Sequence, residues 1–358
     1  MERNRSIIDR RPLWTPEDST WPEAWDTIKT VEKLRMHLQT AIQLELSTIP
    51  PYLCALYSIK DGINLESARI IRSVVVEEML HMIMACNLLN AIGGEPQVNT
   101  KEFVPTYPSP LLQSDKNITL NLRKFSSAAI ESFLQIEHPA EKCAPPKGDK
   151  FNSIGQFYEA IRYALIDLNN EKNIFTGKAA KQVTPEHYYG SGGKLIPVYG
   201  LNDALLAIDE IVGQGEGIAG SVNDGDPGAF DQEKEVAHYF RFNEIMQGKE
   251  YKKGDTSKSG PTGESIAVDW CGMHNMKLNP KIKDYQGRPE LLAAANDFNK
   301  SYMRLLDNIQ KGCSGEPEVL ERGIHIMYEL KKQALGLMKI ELGNNEFAGP
   351  TFEYIKDR

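Results

Sequence analysis

The first clear pattern in the chain is a run of apolar residues at positions 30–59 that recur three and four positions apart. This spacing is typical of one face of an α-helix. Thr30 has a side chain that suits the N-cap of that helix. Pro50 and Pro51 lie inside the run and have no N–H group for the helical ladder, so we expect a kink or a break there.

A second apolar pattern with helical spacing occupies residues 66–92 and ends at Gly93, a normal C-terminal signal. Because the connection between the two patterns is short, they predict an antiparallel helical hairpin. Further helical patterns occupy 151–170, 202–215, 230–247, 290–312 and 316–342.

The remaining segments are rich in proline, glycine and polar residues. Residues 1–29 predict an irregular N-terminal arm, and 30–358 predict one domain with insertions at 95–200 and 248–288. Within the first insertion, the alternation at 118–122 indicates a short strand. We therefore expect an all-α, mainly helical fold: a four-helix bundle with large loop insertions and two additional C-terminal helices.

Composition and charge exclude several classes of partner. The chain has 358 residues, a formal net charge of −8 and no long lysine or arginine cluster, so no nucleic-acid partner is expected. No uninterrupted apolar run reaches the roughly 18 residues of a membrane span, so no membrane partner is expected. The five cysteines are scattered and form no Cys-x-x-Cys pair, which favours a reducing compartment. With no apolar leader at the N-terminus, these features predict a cytoplasmic protein.

The strongest chemical signal is a Glu-x-x-His motif that occurs twice on predicted helices, as Glu78/His81 and as Glu235/His238. Positions i and i+3 share one helical face, so the carboxylate and the imidazole of each motif can converge on one point. Two such helices, with one more glutamate from each of two others, build the dinuclear carboxylate sites of four-helix bundles. Ligands of this kind favour iron or manganese. One such motif alone is usually a solvated helix face, but two in the same chain predict a metal pair.

Two further carboxylates are needed for such a site. Glu45 is surrounded by apolar residues and should lie level with Glu78 across the predicted hairpin, so it is the candidate on the first helix. For the fourth carboxylate the sequence leaves three candidates, in order of preference Glu216, Glu210 and Glu159. The predicted metal ligands are therefore Glu45, Glu78, His81, Glu216, Glu235 and His238.

Six segments together resemble one protein family, the ferritin-like family related to iminophenyl-pyruvate dimer synthases. They are ELSTIPPY (45–52), VEEMLHM (76–82), IGQFYEAI (154–161), QGEG (214–217), HYFRFNEI (238–245) and AGPTFEY (348–354). That family includes a domain of large enzymes that oxidatively couple amino-acid-derived imines in bisindole pigment and indolocarbazole biosynthesis. The resemblance covers about residues 30–355 and implies a ferritin-like fold. It also implies that the glutamates and histidines of the two motifs, with Glu45, are ligands, and it draws attention to Glu216 and Glu159.

These observations predict a dinuclear-metal oxidoreductase that uses O2. It would hold two iron ions, or manganese in their place, and act on a small organic substrate, amino-acid-derived or imine, in secondary metabolism. The long insertions would build the substrate pocket. Two other functions stay open: a ferroxidase or other iron-handling protein, and a metal-free binding module. The C-terminal helices either pack on the bundle or form a dimer interface, so a homo-oligomer also stays open.

Overall fold

The computed structural model describes residues 28–141, 144–188, 192–217, 222–227 and 234–356. For residues 224–227 and 234–235 it describes only the backbone. The predicted arm, 1–29, lies outside the described residues except for its last two positions. Helices dominate the described part of the chain, as the apolar spacing predicts.

Helix α1, Val31–Ser58, begins where the sequence predicts, because the Thr30 hydroxyl accepts a hydrogen bond from the Lys33 N–H at 3.2 Å. Of the kink or break expected at the prolines, the break does not occur, since the helix continues through Pro50 and Pro51. Pro51 cannot donate to the Ser47 carbonyl one turn earlier. The Tyr107 hydroxyl donates to that carbonyl instead, at 2.8 Å. A residue of the insertion thus replaces a missing bond of the helix.

Helix α2, Leu65–Ala91, is antiparallel to α1 and packs along it, which confirms the predicted hairpin. The chain turns away from the helix at Gly93, two residues after its end, and the φ of Gly93, +73°, lies in the left-handed region that glycine adopts readily. Among the described helices, α2 alone has the length and hydropathy of a membrane span, but 89% of the relevant window is buried inside the protein. Burial of this kind is expected for the central helix of a bundle.

Two further helices complete the four-helix bundle. They are α4, Ile154–Glu171, and α5, Leu201–Glu216. These two helices pack on each other, α4 also contacts α1, and α5 also contacts α2. Ser153 caps α4 by accepting a hydrogen bond from the Gln156 N–H at 3.2 Å.

A pair of short helices lies against this bundle. Helix α3, Ser127–Ile136, packs on α6, His238–Gln247, and α6 also contacts α2 and α5. The sequence analysis did not predict α3. It also predicted that the helix containing His238, which is α6, begins too early, at residue 230.

The residues before α6 form a hairpin rather than helix. Strand β3, Asn223–Pro227, pairs antiparallel with β4, Lys234–Val236. The Ala237 N–H then donates to the Val222 carbonyl at 2.9 Å, so the hairpin satisfies backbone groups that a helix would otherwise use. The Glu235-x-x-His238 motif therefore spans a strand and a helix start, and its first residue is not on a helical face.

The C-terminal helices pack on the bundle rather than standing apart from it. Helix α7, Pro289–Cys313, pairs with α8, Leu320–Leu337, and the pair contacts α2 and α1. The remaining strands are β1, Ser109–Pro110, paired with β2, Thr119–Leu120, and β5, Glu341–Gly343, paired with β6, Glu346–Phe347. Strand β2 lies within the segment where alternation predicts a strand. Single 3-10 turns occupy Ala179–Lys181, Pro185–His187, Ile282–Tyr285 and Pro317–Val319.

Tyr107→Phe should destabilise the protein by about 1–2 kcal/mol, because it leaves the buried Ser47 carbonyl without its donor. Urea unfolding followed by circular dichroism measures this change. The matched control is Tyr199→Phe, since Tyr199 is 55% exposed, and its effect should stay within about 0.5 kcal/mol. Equal stabilities of the two variants would show that the hydroxyl does not support the helix.

Candidate metal centre

Three carboxylates and two imidazoles converge at one buried place in the bundle. Glu45 comes from the middle of α1, Glu78 and His81 from α2, Glu137 from the C-cap of α3, and His238 from the first residue of α6. None of the five is more than 5% exposed. They form two triads that share Glu78, and within each triad the possible ligand atoms lie within 4.8 Å of one another.

Glu78 stands between the two histidines. Its Oε1 atom is 3.0 Å from His238 Nδ1 and 3.9 Å from His81 Nδ1. On the outer sides, Glu137 Oε2 is 3.5 Å from His238 Nδ1, and Glu45 Oε2 is 3.8 Å from His81 Nδ1. The two rings are nearly parallel, with centroids 5.4 Å apart. This arrangement suits two cations side by side, with Glu78 as the shared ligand.

The far nitrogen of each imidazole fixes its tautomer. His81 Nε2 lies 2.8 Å from Gln214 Oε1, and His238 Nε2 lies 2.9 Å from Glu77 Oε2. The Gln214 amide nitrogen donates to the Gly192 carbonyl at 2.8 Å, so its oxygen is the atom that faces His81. Because both partner oxygens accept, each Nε2 carries a hydrogen, and each Nδ1 faces the carboxylates. Metal-bound histidines are commonly oriented in this way.

The negative charge of the carboxylate that orients His238 is balanced by a nearby guanidinium group. Glu77 is buried, and its Oε1 lies 2.7 Å from the Arg241 guanidinium. Burial raises the pKa of Glu77, but Arg241 and His238 together lower it below its usual value. Glu77 therefore stays ionised without adding unbalanced negative charge beside the cluster.

A hydroxyl group also fixes each carboxylate of the cluster. Tyr158 donates to Glu45, Thr48 donates to Glu78 at 2.7 Å, and Tyr52 donates to Glu137. The Tyr52 ring is held in turn by edge-to-face packing on Phe133 and Phe242, with centroids 4.5 and 5.2 Å away. Each of these bonds is made to one carboxylate and restricts its rotation.

The charges of the cluster call for a cation. Burial and the neighbouring Glu78 raise the pKa values of Glu45 and Glu137. Burial lowers the pKa of His81 to about 4, so its imidazole is neutral near pH 7. Burial also lowers the pKa of His238, but the carboxylates around it raise it well above its usual value. These carboxylates thus hold a positive charge at His238, and a proton or a metal ion can supply it.

One atom shows that the donor set fits metal ions. His238 Nδ1 is buried and makes no hydrogen bond to any described residue, although two carboxylate oxygens lie within 3.5 Å of it. With a hydrogen on Nε2, an unprotonated Nδ1 would direct its lone pair at anionic oxygen, a contact that is repulsive unless a proton or a metal ion lies between them. Three carboxylates with one imidazole at each end are the ligands that iron and manganese accept.

Four of the predicted ligands are brought together in this cluster: Glu45, Glu78, His81 and His238. The fifth, Glu235, lies in strand β4, and its side chain is outside the described residues. Their role as ligands stays a prediction.

The favoured fourth carboxylate, Glu216, is not in either triad. It is buried at the end of α5, where it accepts hydrogen bonds from the N–H groups of Gly155 at 2.6 Å and Ala140 at 2.9 Å. Gly155 belongs to the first turn of α4, where unpaired N–H groups attract an anion. Glu216 therefore joins α5 to the start of α4 and to the segment after α3.

The other two candidates also have separate partners. Glu159 lies 3.0 Å from the Arg162 guanidinium, and Glu210 accepts a hydrogen bond from the Lys194 N–H at 3.1 Å. Arg162 in turn contacts Asp209 on α5. These glutamates therefore hold the bundle helices and a loop in place, and the structure does not bring them to the cluster.

Glu137 belongs to the cluster, although the sequence analysis did not name it among the candidates for the fourth carboxylate. The signal was present, because Ser126 is followed by apolar residues three, four and seven positions later, at Ala129, Ile130 and Phe133. That pattern marks a short capped helix, and Glu137 lies directly after its last turn. Because the sequence analysis predicts no helix at residues 127–136, Glu137 is not among its candidates.

Comparisons with known proteins agree with this architecture. A sequence model of the ferritin-like family matches residues 38–247. A protein of Chromobacterium violaceum named 2-imino-3-(indol-3-yl)propanoate dimerase is 28% identical over an alignment 224 residues long, and the alignment covers 53% of this chain but only 21% of that relative. A crystal structure of a ferritin-like protein from Caulobacter vibrioides superposes with a TM-score of 0.63 at 24% identity, covering 90% of this chain and 98% of that one. The predicted fold class and family resemblance are confirmed.

Glu137→Gln should lower the metal content of the purified protein, because the amide keeps the shape of the side chain but loses its charge. Glu216→Gln, the matched control, should leave the metal content unchanged. Elemental analysis of both variants measures the difference, and circular dichroism checks that both are folded. Loss of metal in Glu216→Gln with none in Glu137→Gln would restore the original order of candidates.

Proposed function

This chain belongs to the ferritin-like family, and from that premise we propose that it is a metal-dependent oxidoreductase that uses O2 on a small amino-acid-derived or imine substrate. One observation carries the proposal: two imidazole Nδ1 atoms with fixed tautomers face three buried carboxylates, with Glu78 between them. Such a donor set is suited to two iron ions, with manganese as the other candidate.

Bound iron or manganese ions would supply the redox chemistry, with Glu45 and His81 holding one ion, Glu137 and His238 the other, and Glu78 both. The surrounding side chains fix these ligands. Gln214 and Glu77 hold the imidazoles, and three hydroxyl groups hold the carboxylates. This fixed arrangement lowers the cost of reorganisation when the charge of the centre changes.

The same packing excludes bulk water. The five cluster residues are at most 5% exposed, and the aromatic rings of Tyr52, Phe133 and Phe242 cover the side where α3 meets α6. A dry site protects reactive species from side reactions. Tyr52 and Tyr158 are the two phenols that donate to cluster carboxylates. Burial and the nearby carboxylates raise the pKa of both phenols well above the usual value, so both stay protonated and continue to donate.

The substrate class comes from the relative in Chromobacterium violaceum, whose name describes the dimerisation of an indole-containing imino acid. The region shared with this chain is about a fifth of that relative. We therefore propose a substrate of the same chemical kind, a small imine or amino-acid derivative, and a role in secondary metabolism. A cytoplasmic location fits the free thiols of Cys54, Cys86, Cys271 and Cys313.

Protein purified without chelators should contain about two iron or manganese ions per chain, and Glu78→Ala/His238→Ala should lose them. The matched control is Glu321→Ala/His325→Ala, which removes the same side-chain types from the exposed face of α8 and should keep the metal. Elemental analysis measures the content. Metal-free wild-type protein, or metal retained in the cluster variant, would refute a metal-dependent reaction at this cluster.

Oxygen uptake by the iron-loaded protein then separates an oxidoreductase from an iron-handling protein. Indole-3-pyruvate with excess ammonia supplies the imine, and uptake that depends on it, absent in the cluster variant, is the expected result. Uptake that depends only on added Fe(II), with iron retained in an assembly far larger than the 40.2 kDa chain, would identify a ferroxidase or store instead.

A further inference from the structure

A cavity lies on the side of the α1–α2 hairpin that α7 and α8 cover. Its volume is about 640 Å³, within the usual range of small-molecule sites. Most of its lining is aliphatic or aromatic, with residues such as Leu53, Met79, Ile309 and Phe352. This lining can bind the apolar body of a ligand.

The cavity is separate from the metal centre. Neither Glu78 nor His81 lines the cavity, although other residues of α2 do: Arg72, Val75, Val76, Met79, Met82 and Ile83. Residues two apart in a helix point in nearly opposite directions, so Met79 and Ile83 face away from His81, which is two positions from each. A ligand in this cavity would therefore not contact the metal-binding groups.

The charged side chains among the described residues of the cavity wall are all of one sign. Arg72 and Lys331 are exposed, and no described residue forms an ion pair with either of them. His187 is the third basic side chain, and the described part of the lining contains no aspartate or glutamate. A cationic rim around an apolar interior is complementary to an apolar molecule with one acidic group.

We propose that this cavity is a binding site for an apolar carboxylic acid, whose carboxylate lies at Arg72 and Lys331 and whose body fills the space between α1, α2, α7 and α8. Aryl acids and fatty acids share this chemistry. The proposal goes beyond the redox function and does not depend on the metal content.

Binding is measured by isothermal titration calorimetry on the full chain, with indole-3-propionate for the aryl class and palmitate for the fatty class. Each acid is compared with its neutral alcohol, indole-3-propanol or hexadecanol. Protein stripped of metal and protein as purified should bind equally, since the two sites are separate. Absence of binding by both acids would overturn the proposal.

Arg72→Gln/Lys331→Gln should weaken the bound acid about tenfold and its alcohol less than about twofold, because only the acid carries the charge. The matched control is Arg322→Gln/Lys332→Gln, which removes the same charges from exposed positions on α8 outside the cavity. An equal loss in both double variants would show that net charge rather than this rim attracts the acid, and would overturn the proposal.

The two acids separate the ligand classes. If palmitate binds and indole-3-propionate does not, the site takes fatty acids. The reverse result assigns the site to aryl acids.

Discussion

Three carboxyl groups share one buried space between α1, α2 and the α3–α6 pair, and their mutual repulsion is the constraint on which the rest of this structure depends. Anionic oxygens so close together in a medium of low polarity need positive charge among them. Every nearby polar group serves this requirement. Hydroxyls fix the acids, Gln214 and Glu77 turn the imidazole lone pairs inward, and Arg241 keeps Glu77 from adding to the problem. A metal pair would satisfy this constraint better than protons, because each ion can bind several of these groups at once.

The site is built from helix interiors on one side and helix ends on the other. Glu45, Glu78 and His81 lie within long helices, so rigid backbone sets their positions. Glu137 and His238 lie at the end of α3 and at the start of α6, where the backbone is less constrained by its own ladder. The packing of α3 on α6, with Tyr52 reaching across from α1, compensates for this difference. Ligand positions on the two sides therefore depend on different forces, helical regularity on one and tertiary packing on the other.

This division explains how much could be predicted from the sequence. Glu45, Glu78 and His81 follow from helical periodicity and from the symmetry of a hairpin, which are local rules. His238 was found through the Glu-x-x-His spacing, on the premise that both residues of the motif lie on one helix. The premise holds for His238 but not for Glu235, which lies in a strand. Glu137 could not be found by looking for carboxylates at the same level on adjacent long helices. It lies in an insertion, and its position depends on how that insertion packs against the rest of the protein. Glu216 looked suitable for the same reason that it is used elsewhere: a buried carboxylate needs donors, and the first turn of α4 supplies them. The sequence shows that such donors are needed but not where they are.

The hydroxyl that Tyr107 gives to the Ser47 carbonyl has a broader consequence for the origin and engineering of this protein. The two prolines after it weaken α1 one turn beyond Glu45, so the insertion between α2 and α4 is part of what keeps that helix whole. The same insertion supplies Glu137. A shortened chain with only the four bundle helices would thus lose Glu137, a candidate ligand. It would also lose the hydrogen bond from Tyr107 that supports α1. Transplanting this centre into a minimal bundle would require replacing the prolines of α1 and finding a new carboxylate. The loop and the bundle have become mutually dependent parts of a single architecture.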